Sequence, residues 1–589
     1  MPIYKCQHHI DCNCHEELII NKESEDFSRR NFLKLASTIG FGFSMAPSVM
    51  GNIKQQQGKD LAINASQSVQ SGKAKKISIL HTADIHGQLM THDEFFLEQG
   101  QVVYKKRGGL ANLKTLVNTY KKQNPYNTLL LDGGDCIMGS AVAAFTNGSA
   151  MVPLINNMGY DITLPGNWEV VYGKEWMMND LGSYNAQKIC ANMYHDTNDE
   201  YKGDLLFQPY TIKYIDGIKI GFIGYNDPLT ALRQAPAFSR GIRFTRPEMN
   251  IAKYIKILKE KEQCTLVILL THIGLAQQVY LSNQDYVKGV DYILGADTHE
   301  RVRKPLQGKY CKVTEPGAFG SFISKLDIVI ENGKIVDDNY ELIEVDPYKY
   351  KEDKEMKGLI DKAREPYKKE LNTVIGQTTT PLVRYYVLET TMDNLLTSAV
   401  KWKMNPDIAL SNGFRFCPPI VPGKDGKADI TAEQLYSMLP GVAKARRGEV
   451  TGKQLLDWLE GELENVFAAS PEKRQGGWLV RFTGMKINIT IGKPKGKRVN
   501  SVLIGDAPLD LSKTYTVAAC ERDGDLETNL CRITDVKNPQ SMEYTLHDIV
   551  KEYLQVHSPI APKIEGKVTV TDAPQDLLSQ VADTDYVFR

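Results

Sequence analysis

The sequence has no net charge and few cysteines, and each absence excludes a class of protein. Lysine and arginine together number 71, as do aspartate and glutamate, so no overall field draws the chain to nucleic acid or to an anionic membrane. Any anionic substrate must therefore be held by a local site. Ten cysteines in 589 residues exclude the disulfide framework of a small secreted domain, although an isolated bridge between Cys520 and Cys531 stays open.

Length and patterning predict more than one domain of layered α/β type. A chain of 589 residues with 42% apolar side chains is too long for one core. From Lys76 onward, short apolar runs rich in β-branched residues alternate with amphipathic stretches, which predicts buried strands with helices packed between them. The predicted strands are 77–80, 128–131, 218–223, 266–270 and 292–294.

The first fifty residues have the features of a targeting segment rather than of a folded domain. Arg29 and Arg30 precede an apolar run over 35–49, which is shorter than the roughly 20 residues needed to cross a bilayer. This order resembles a twin-arginine export signal over 1–50, with a flexible tether over 51–74; the alternative is the basic start of an amphipathic helix. The resemblance implies a periplasmic or otherwise exported protein with no stable membrane span in its mature form.

A cluster of cysteines and histidines precedes the paired arginines. Its residue types and close spacing suit a zinc or copper ion. Cleavage of the signal would remove the cluster, so we predict no role for it in the mature protein. Its members are Cys6, His8, His9, Cys12, Cys14 and His15.

Polar residues gather just past the predicted strands, where α/β sheets place their ligands. An aspartate and a histidine two apart can face one cavity, and a further aspartate can bridge two cations through its two oxygens. Mixed carboxylate, imidazole and amide donors favour manganese, zinc or iron over calcium. The five segments are 84–86 (Asp-Ile-His), 132–135 (Asp-Gly-Gly-Asp), 166–169 (Gly-Asn-Trp-Glu), 271–272 (Thr-His) and 295–299 (Gly-Ala-Asp-Thr-His).

In this order the segments resemble the D-x-H, G-D, G-N-H-E, H and G-H-x-H series of the calcineurin-like metallophosphoesterases, over about residues 75–345. The resemblance implies a four-layer β-sandwich flanked by helices that holds two divalent cations, manganese first, with zinc or iron as alternatives. Such a pair acidifies a bridging water and neutralises charge on the oxyanion under attack. The implied ligands are Asp84, His86 and His299 for the first cation, Asp135 as the bridge, and Asn167 and His272 for the second.

Two departures from this series are informative. Trp168 stands where the family usually has a proton-donating histidine, and Val171 stands where the supporting aspartate is common, so a changed mechanism is expected. Asp297 stands in the place of the first histidine of G-H-x-H. We expect Asp297 to bind a cation, which would favour harder ions such as manganese; the alternative is a hydrogen-bond acceptor for His272 or His299.

A second resemblance covers the C-terminal part of the chain. The segment 411–416 (Ser-Asn-Gly-Phe-Arg-Phe) resembles the substrate-binding loop of the 5′-nucleotidase C-terminal domain, and 447–452 and 475–478 agree with that domain. A second α/β domain is therefore expected over 376–572, in which Arg415 would clamp an anion with its paired donors. A surface salt bridge is the alternative role of Arg415. The expected substrate-binding residues are Asn412, Gly413, Phe414, Arg415, Gly477 and Trp478.

The expected domain order is an export signal (1–50), a tether (51–74), the metal domain (75–345), a solvated connecting helix (346–375), the second domain (376–572) and a polar tail (573–589).

Trp168, Phe414 and the segment after Gly477 look most like SoxB-type thiosulfohydrolases. That resemblance implies hydrolysis of an S-sulfonate on a sulfur carrier protein, with no nucleic acid polymer as partner. A 5′-nucleotidase or other phosphoesterase acting on a small anion is the alternative, and a non-catalytic binding protein is a third. The expected catalytic residues are Asp135, Asn167, Trp168 and Arg415.

Overall fold

The computed structural model describes residues 74–196, 203–414, 417–474 and 477–572. The export signal, the Cys/His cluster, all but the last residue of the tether, Arg415 and the polar tail lie outside these residues, so their predicted roles remain predictions. Within the described ranges, no helix combines the length and apolar character needed to cross a membrane.

The first half of the chain builds two six-stranded sheets. Every predicted strand lies within one of them. In the first sheet, Lys75–Thr82 pairs parallel with Thr128–Asp132 and antiparallel with Phe322–Glu331. Its spatial order is Lys334–Glu344, Phe322–Glu331, Lys75–Thr82, Thr128–Asp132, Ile162–Thr163 and Gln187–Lys188.

The second sheet has a parallel centre of its own. All seven residues of Leu266–His272 are buried, as expected for a strand covered on both faces. This strand lies parallel to Ile218–Asn226 and to Tyr292–Gly295, so the carboxyl ends of these strands meet at one edge. The spatial order is Leu306–Gln307, Lys312–Thr314, Tyr292–Gly295, Leu266–His272, Ile218–Asn226 and Tyr210–Ile215.

Helices cover the outer faces of the two sheets. Together they give the β-sandwich flanked by helices that the sequence predicts, so the expected fold class is confirmed. A short ribbon of Met193–His195 with Ile242–Phe244 completes this half. The helices are Leu110–Gln123, Ala141–Phe145, Met151–Met158, Lys174–Gly182, Thr230–Arg233, Ile251–Lys256 and Leu275–Leu281, with 3₁₀ turns at Pro247–Met249 and Asp285–Val287 and a short π-helix at Ile257–Lys261.

The connecting segment is helical, but one of its faces is buried. Asp353 caps the helix Lys354–Arg364 by accepting from the N–H of Met356, and the chain continues through Glu365–Tyr367 and Lys368–Leu371. Met356 and Ile360, one turn apart, are buried in the core of the first half. The segment therefore packs on the metal domain along an apolar stripe, rather than crossing solvent as expected.

The second half contains a five-stranded and a four-stranded sheet. In the described part of this half, each of the four α-helices begins after a threonine whose side chain accepts from a backbone N–H three residues on, at Thr390, Thr431, Thr451 and Thr545. The helices are Thr391–Met404, Ala432–Met438, Gly452–Phe467 and Leu546–His557, with a 3₁₀ turn at Pro471–Lys473.

The two sheets of this half have mixed strand directions. A short ribbon of Val374–Thr378 with Ala428–Thr431 lies beside them. The five-stranded order is Arg481–Thr483, Ile408–Ser411, Thr514–Cys520, Lys444–Thr451 and Lys537–Thr545; the four-stranded order is Ala507–Pro508, Val499–Ile504, Met485–Ile489 and Val568–Val570.

A hairpin from the first half packs into the core of the second. It is formed by Thr91–Glu98 and Gln101–Gly108. Phe95 stacks on Tyr385 with ring centroids 5.2 Å apart, and the buried Arg301 pairs with Glu94 at 2.6 Å. The Arg301 guanidinium lies 4.9 Å from the centre of the Tyr385 ring. Apolar packing and a buried cation thus join the metal domain to the second domain.

Candidate metal centre

The five predicted segments converge on one buried cluster at facing edges of the two sheets. Each ligand-type side chain lies at or just past the end of a parallel strand. Asp84, Asp135 and Asn167 come from the first sheet, while His272, Asp297 and His299 come from the second. The side chains are buried, with exposed fractions of 8% or less.

Two overlapping groups of donor atoms form the cluster. One consists of Asp84, His86 and His299, and the other of Asp84, Asp135 and His272; within each group the donor atoms lie within 4.8 Å of one another. Nε2 of His86 lies 3.0 Å from Nε2 of His299. Oδ2 of Asp135 lies 3.1 Å from Nε2 of His272 and 3.7 Å from Nε2 of His86. Asp84 is shared by both groups, and Asp135 borders both.

The imidazoles are held with Nε2 toward the cluster. Nδ1 of His86 lies 3.0 Å from the carbonyl of Met138, and Nδ1 of His272 lies 2.7 Å from the carbonyl of Gly133. A carbonyl partner holds the proton on Nδ1, which leaves the Nε2 lone pair for a cation. Burial lowers the pKa of His86 to about 4. Neutral His86 is the form that binds metals.

The charges of the cluster also fit divalent cations. Burial raises the pKa of Asp84 to about 7, with a further contribution from Asp135. Burial alone would also raise the pKa of Asp135, but the adjacent His272 holds it below its usual range. Carboxylates this close and this buried need positive charge between them. Manganese, zinc or iron would supply it with the donor set present.

Backbone conformation in the cluster is unusual. Five of the ligand-type residues have positive φ: Asp84 at 54°, His86 at 50°, Asp135 at 59°, Asp297 at 90° and His299 at 64°. Each such residue costs on the order of 1–3 kcal/mol, and residues of this kind concentrate at functional sites. The conformations are held by hydrogen bonds between the loops, since the N–H of Asp84 donates to Gly134 and that of His86 donates to Asp135.

Glu169 is a positioning residue that sequence reasoning did not assign. Its carboxylate accepts from the backbone N–H groups of Asp135 at 2.8 Å, Cys136 at 2.7 Å and Gly166 at 2.6 Å. A side chain at Gly166 would collide with Asp135, because its Cβ would lie 2.2 Å from Oδ1. Glu169 therefore joins two ligand loops through their backbones. In the sequence, Glu169 was indicated only by its position at the end of the segment 166–169.

Asp297 belongs to neither of the two donor groups, and both of its carboxylate oxygens accept hydrogen bonds. Its Oδ1 accepts from Nδ2 of Asn167 at 2.7 Å, and its Oδ2 accepts from Nη1 of Arg233 at 2.9 Å. Its Oδ1 lies 3.9 Å from Nε2 of His272. The geometry favours the acceptor role that the sequence left open, although the donors are Asn167 and Arg233 rather than a histidine. Direct ligation by Asp297 stays a prediction.

Asn167 has an amide oxygen that could bind a cation, but in this structure its amide group forms hydrogen bonds with other side chains. Its Oδ1 accepts from Nε2 of Gln234 at 3.1 Å. Gln234 and Arg233 were missed by sequence reasoning. They follow Asp227, which comes directly after the strand Ile218–Asn226, so the rule that ligands follow strand ends could have drawn attention to this loop.

Trp168 faces the second domain. Its ring meets that of Phe414 edge to face, with centroids 5.9 Å apart, and its backbone N–H donates to Oδ1 of Asp135 at 2.7 Å. Val171 packs into the same apolar cluster. The two positions that depart from the family series therefore form an apolar contact with the predicted substrate loop.

The metal cluster opens into a cavity of about 100 Å³ between the two halves. Of the predicted substrate-binding residues, the cavity brings together all but Arg415, which lies outside the described residues. The N–H of Trp478 donates to the carbonyl of Gly413 at 2.9 Å, which holds the two loops together. The lining includes Asp135, Asn167, Trp168, Arg233, Gln234, Asp297, His299, Asn412, Gly413, Phe414, Gly477, Trp478, Arg522 and Arg532.

Comparison with known families agrees with this two-part site. Residues 77–301 match the calcineurin-like phosphoesterase family, and residues 374–521 match the 5′-nucleotidase C-terminal domain. The first match contains every predicted metal ligand. The second contains the whole predicted substrate loop.

Known proteins similar to this chain extend over both domains. A 5′-nucleotidase of Vibrio cholerae is 25% identical over 84% of this chain and 93% of its own length. The protein UshA of Escherichia coli is 24% identical over 85% of this chain and 94% of its own length.

Two solved structures from Thermus thermophilus share the fold. The sulfate thiohydrolase SoxB is 22% identical, with a TM-score of 0.76 over 85% of this chain and 97% of its own. A 5′-nucleotidase precursor is 21% identical, with a TM-score of 0.73 over 85% of this chain and 100% of its own.

Proposed function

Because this chain belongs to the metallophosphoesterase/5′-nucleotidase superfamily and is a hydrolase of that class, we propose that it is an exported two-metal enzyme that hydrolyses an S-sulfonate on a sulfur carrier protein. The observation that carries the proposal is Trp168, since an indole cannot protonate a leaving group. A thiolate-like sulfur is less basic than a sugar alkoxide, so it departs without a general acid.

The residues proposed to hold the cations are those of the buried cluster. Nε2 of the three imidazoles and the carboxylates of Asp84 and Asp135 converge there, with Asn167 as a further proposed ligand. When bound, two such cations supply an acidified water and neutralise charge on the attacked oxyanion. We propose that the bound cations are manganese, with zinc or iron as alternatives.

The remaining residues orient the reaction. The backbone N–H of Trp168 holds Oδ1 of Asp135, and Glu169 ties the loop of Asp135 to that of Asn167. Trp168 and Phe414 exclude water from one side of the cavity. Positioning and desolvation would thus take the place of proton donation.

We propose that the substrate is held by the second domain. Asn412, Gly413, Phe414, Gly477 and Trp478 line the cavity beside the metal cluster, which supports this role. Arg415 is proposed as the anion clamp, because guanidinium offers paired donors to an oxyanion. The family match over 77–301 lies within the proposed domain 75–345, and the match over 374–521 begins two residues before the proposed domain 376–572.

Export is the proposed route to the compartment where the enzyme acts. The support for it is the paired Arg29 and Arg30 ahead of the apolar run 35–49, in the order of a twin-arginine signal.

A second candidate function is hydrolysis of a nucleotide or another phosphate ester. Phe414 and Trp478 line the cavity and offer ring surface to a base. The curated relatives from Vibrio and Escherichia that align over most of this chain include proteins named 5′-nucleotidase.

Parallel assays of the full chain loaded with manganese test the proposal. We expect a carrier bearing a thiosulfonate to be hydrolysed at least about a hundredfold faster than AMP, because general acid catalysis worth that factor is missing for the alkoxide. The chelated protein is the control for metal dependence. Faster turnover of AMP than of the carrier would overturn the first candidate in favour of the second.

The Trp168→His variant tests the reason for this preference. We expect it to raise turnover of AMP about tenfold, which is less than a full general acid provides because Val171 gives the new imidazole no carboxylate support. Hydrolysis of p-nitrophenyl phosphate, whose leaving group needs no proton, should change less than twofold. Trp168→Phe, which keeps a ring but offers no proton, is the matched control. An equal gain on both substrates would contradict the explanation.

A further inference from the structure

Arg233 occupies an unusual place beside the metal cluster. It ends the short helix Thr230–Arg233 and lines the cavity together with Asp135, Asn167 and His299. Its side chain is 18% exposed, whereas the carboxylates of Asp227 and Asp297 that flank it are 1% and 2% exposed. A cation is thus fixed at the cavity wall by two buried anions.

Both ion pairs use the same nitrogen of the guanidinium. Nη1 of Arg233 donates to Oδ2 of Asp227 at 2.7 Å and to Oδ2 of Asp297 at 2.9 Å. Nη1 carries two hydrogens, so these bonds use it fully. Nη2 and Nε make no hydrogen bond to the residues that the structure describes. Three N–H donors in a rigid plane are therefore left for a molecule in the cavity.

The second oxygen of each of these two carboxylates also accepts a hydrogen bond. Oδ1 of Asp227 accepts from the N–H of Leu229 at 2.9 Å, and Oδ1 of Asp297 accepts from Asn167 at 2.7 Å. With all four oxygens occupied, the side chain of Arg233 has little freedom to turn. A neutral histidine at position 297, as in the family series, could not form this ion pair.

We propose that Arg233 is a substrate-binding catalytic residue, whose Nη2 and Nε donate to an oxyanion of the group under attack. Asp297 anchors it, so the two departures from the family series belong together: the donor absent at Trp168 is replaced by donors from Arg233. A guanidinium keeps its protons at neutral pH, so it stabilises charge without protonating a leaving group. This inference rests on the proposed hydrolytic function and narrows the substrate to a compact oxyanion such as a sulfonyl or phosphoryl group.

Binding of orthophosphate to the manganese-loaded full chain tests the assignment. Calorimetric titration of Arg233→Gln should give a Kd about ten- to a hundredfold higher than that of the wild type, because charge-assisted hydrogen bonds are lost. The Kd of Arg233→Lys should lie between these two values, because lysine keeps the positive charge but lacks the paired planar donors of a guanidinium. Arg240→Gln, an exposed arginine of the same loop outside the cavity, is the matched control and should match the wild type.

Metal content measured on the same samples separates the outcomes. The proposal expects Arg233→Gln to retain as much metal as the wild type while losing phosphate affinity. Phosphate binding within twofold of the wild type would overturn it. Loss of bound metal by Arg233→Gln would also overturn it, because Arg233 would then act only by holding the metal centre together. A wild type that binds no metal pair would instead defeat the proposed function itself.

Discussion

Replacing Asp135 with alanine is expected to lower kcat/KM by about a thousandfold or more on whichever substrate the wild type turns over fastest. Asp135 is buried, and its Oδ2 lies within 4 Å of Nε2 of both His86 and His272. Removal of this carboxylate would deprive the proposed cations of a ligand, and the charge stabilisation that such cations supply is worth several kcal/mol. Steady-state kinetics with saturating manganese measures the loss.

The neighbouring Asp132 offers a matched control. It is buried on the same strand end, but it accepts from Thr163 at 2.6 Å and from the thiol of Cys136 instead of joining a donor group. Burial raises the pKa of Asp132 to about 6, so its negative charge is already disfavoured. Asp132→Asn should keep activity within about threefold, as expected for a near-isosteric change outside the site. Activity of a folded Asp135→Ala close to that of the wild type would remove Asp135 from the mechanism.

Metal reloading is expected to stabilise the chelated protein strongly. A ligand that binds only the folded state at a thousand times its Kd adds about 4 kcal/mol to the free energy of unfolding. Manganese should therefore raise the thermal midpoint in scanning calorimetry by several degrees. Calcium, which prefers oxygen donors alone, should raise it far less, because three of the five converging side chains are imidazoles.

Asp84→Ala identifies the cluster as the source of this stabilisation. Asp84 belongs to both donor groups, so its loss should abolish most of the rise produced by manganese. A midpoint that does not respond to manganese in the wild type, or that responds equally in Asp84→Ala, would contradict the assignment of the site.

The sequence predicted the strands of the first domain because strands that are buried on both faces consist of continuous apolar runs. Leu266–His272 is covered on both faces and reads as a continuous apolar run, and its last residue is a ligand-type histidine. Once the strands were known, the rule that ligands follow strand ends brought Asp84, Asp135 and His299 together across more than two hundred positions.

The orientation of side chains was not predictable in the same way. Ligation of a cation by Asp297 remains a prediction, but its pairing with Arg233, which lies 64 residues earlier, was not foreseen. Nothing local to either residue encodes this contact, because it depends on how two loops of the same sheet edge pack. Glu169 likewise acts on backbone N–H groups, which leave no trace in side-chain patterns.

The contacts between the two halves of the chain could not be predicted from the sequence either. Phe95 begins a short apolar run, Phe95-Phe96-Leu97, and nothing in that run shows that its ring is fully buried against Tyr385 of the second half. The connecting helix was expected to be solvated because lysine and glutamate dominate it. Its narrow stripe of Met356 and Ile360 was enough to bury one face.

The number of ions bound per folded chain tests the central claim most directly. Elemental analysis after equilibrium dialysis of the wild type against saturating manganese or zinc should find two per chain, since two overlapping donor groups meet at Asp84. Fewer than two under these conditions would contradict the two-metal account, whatever substrate the protein turns over.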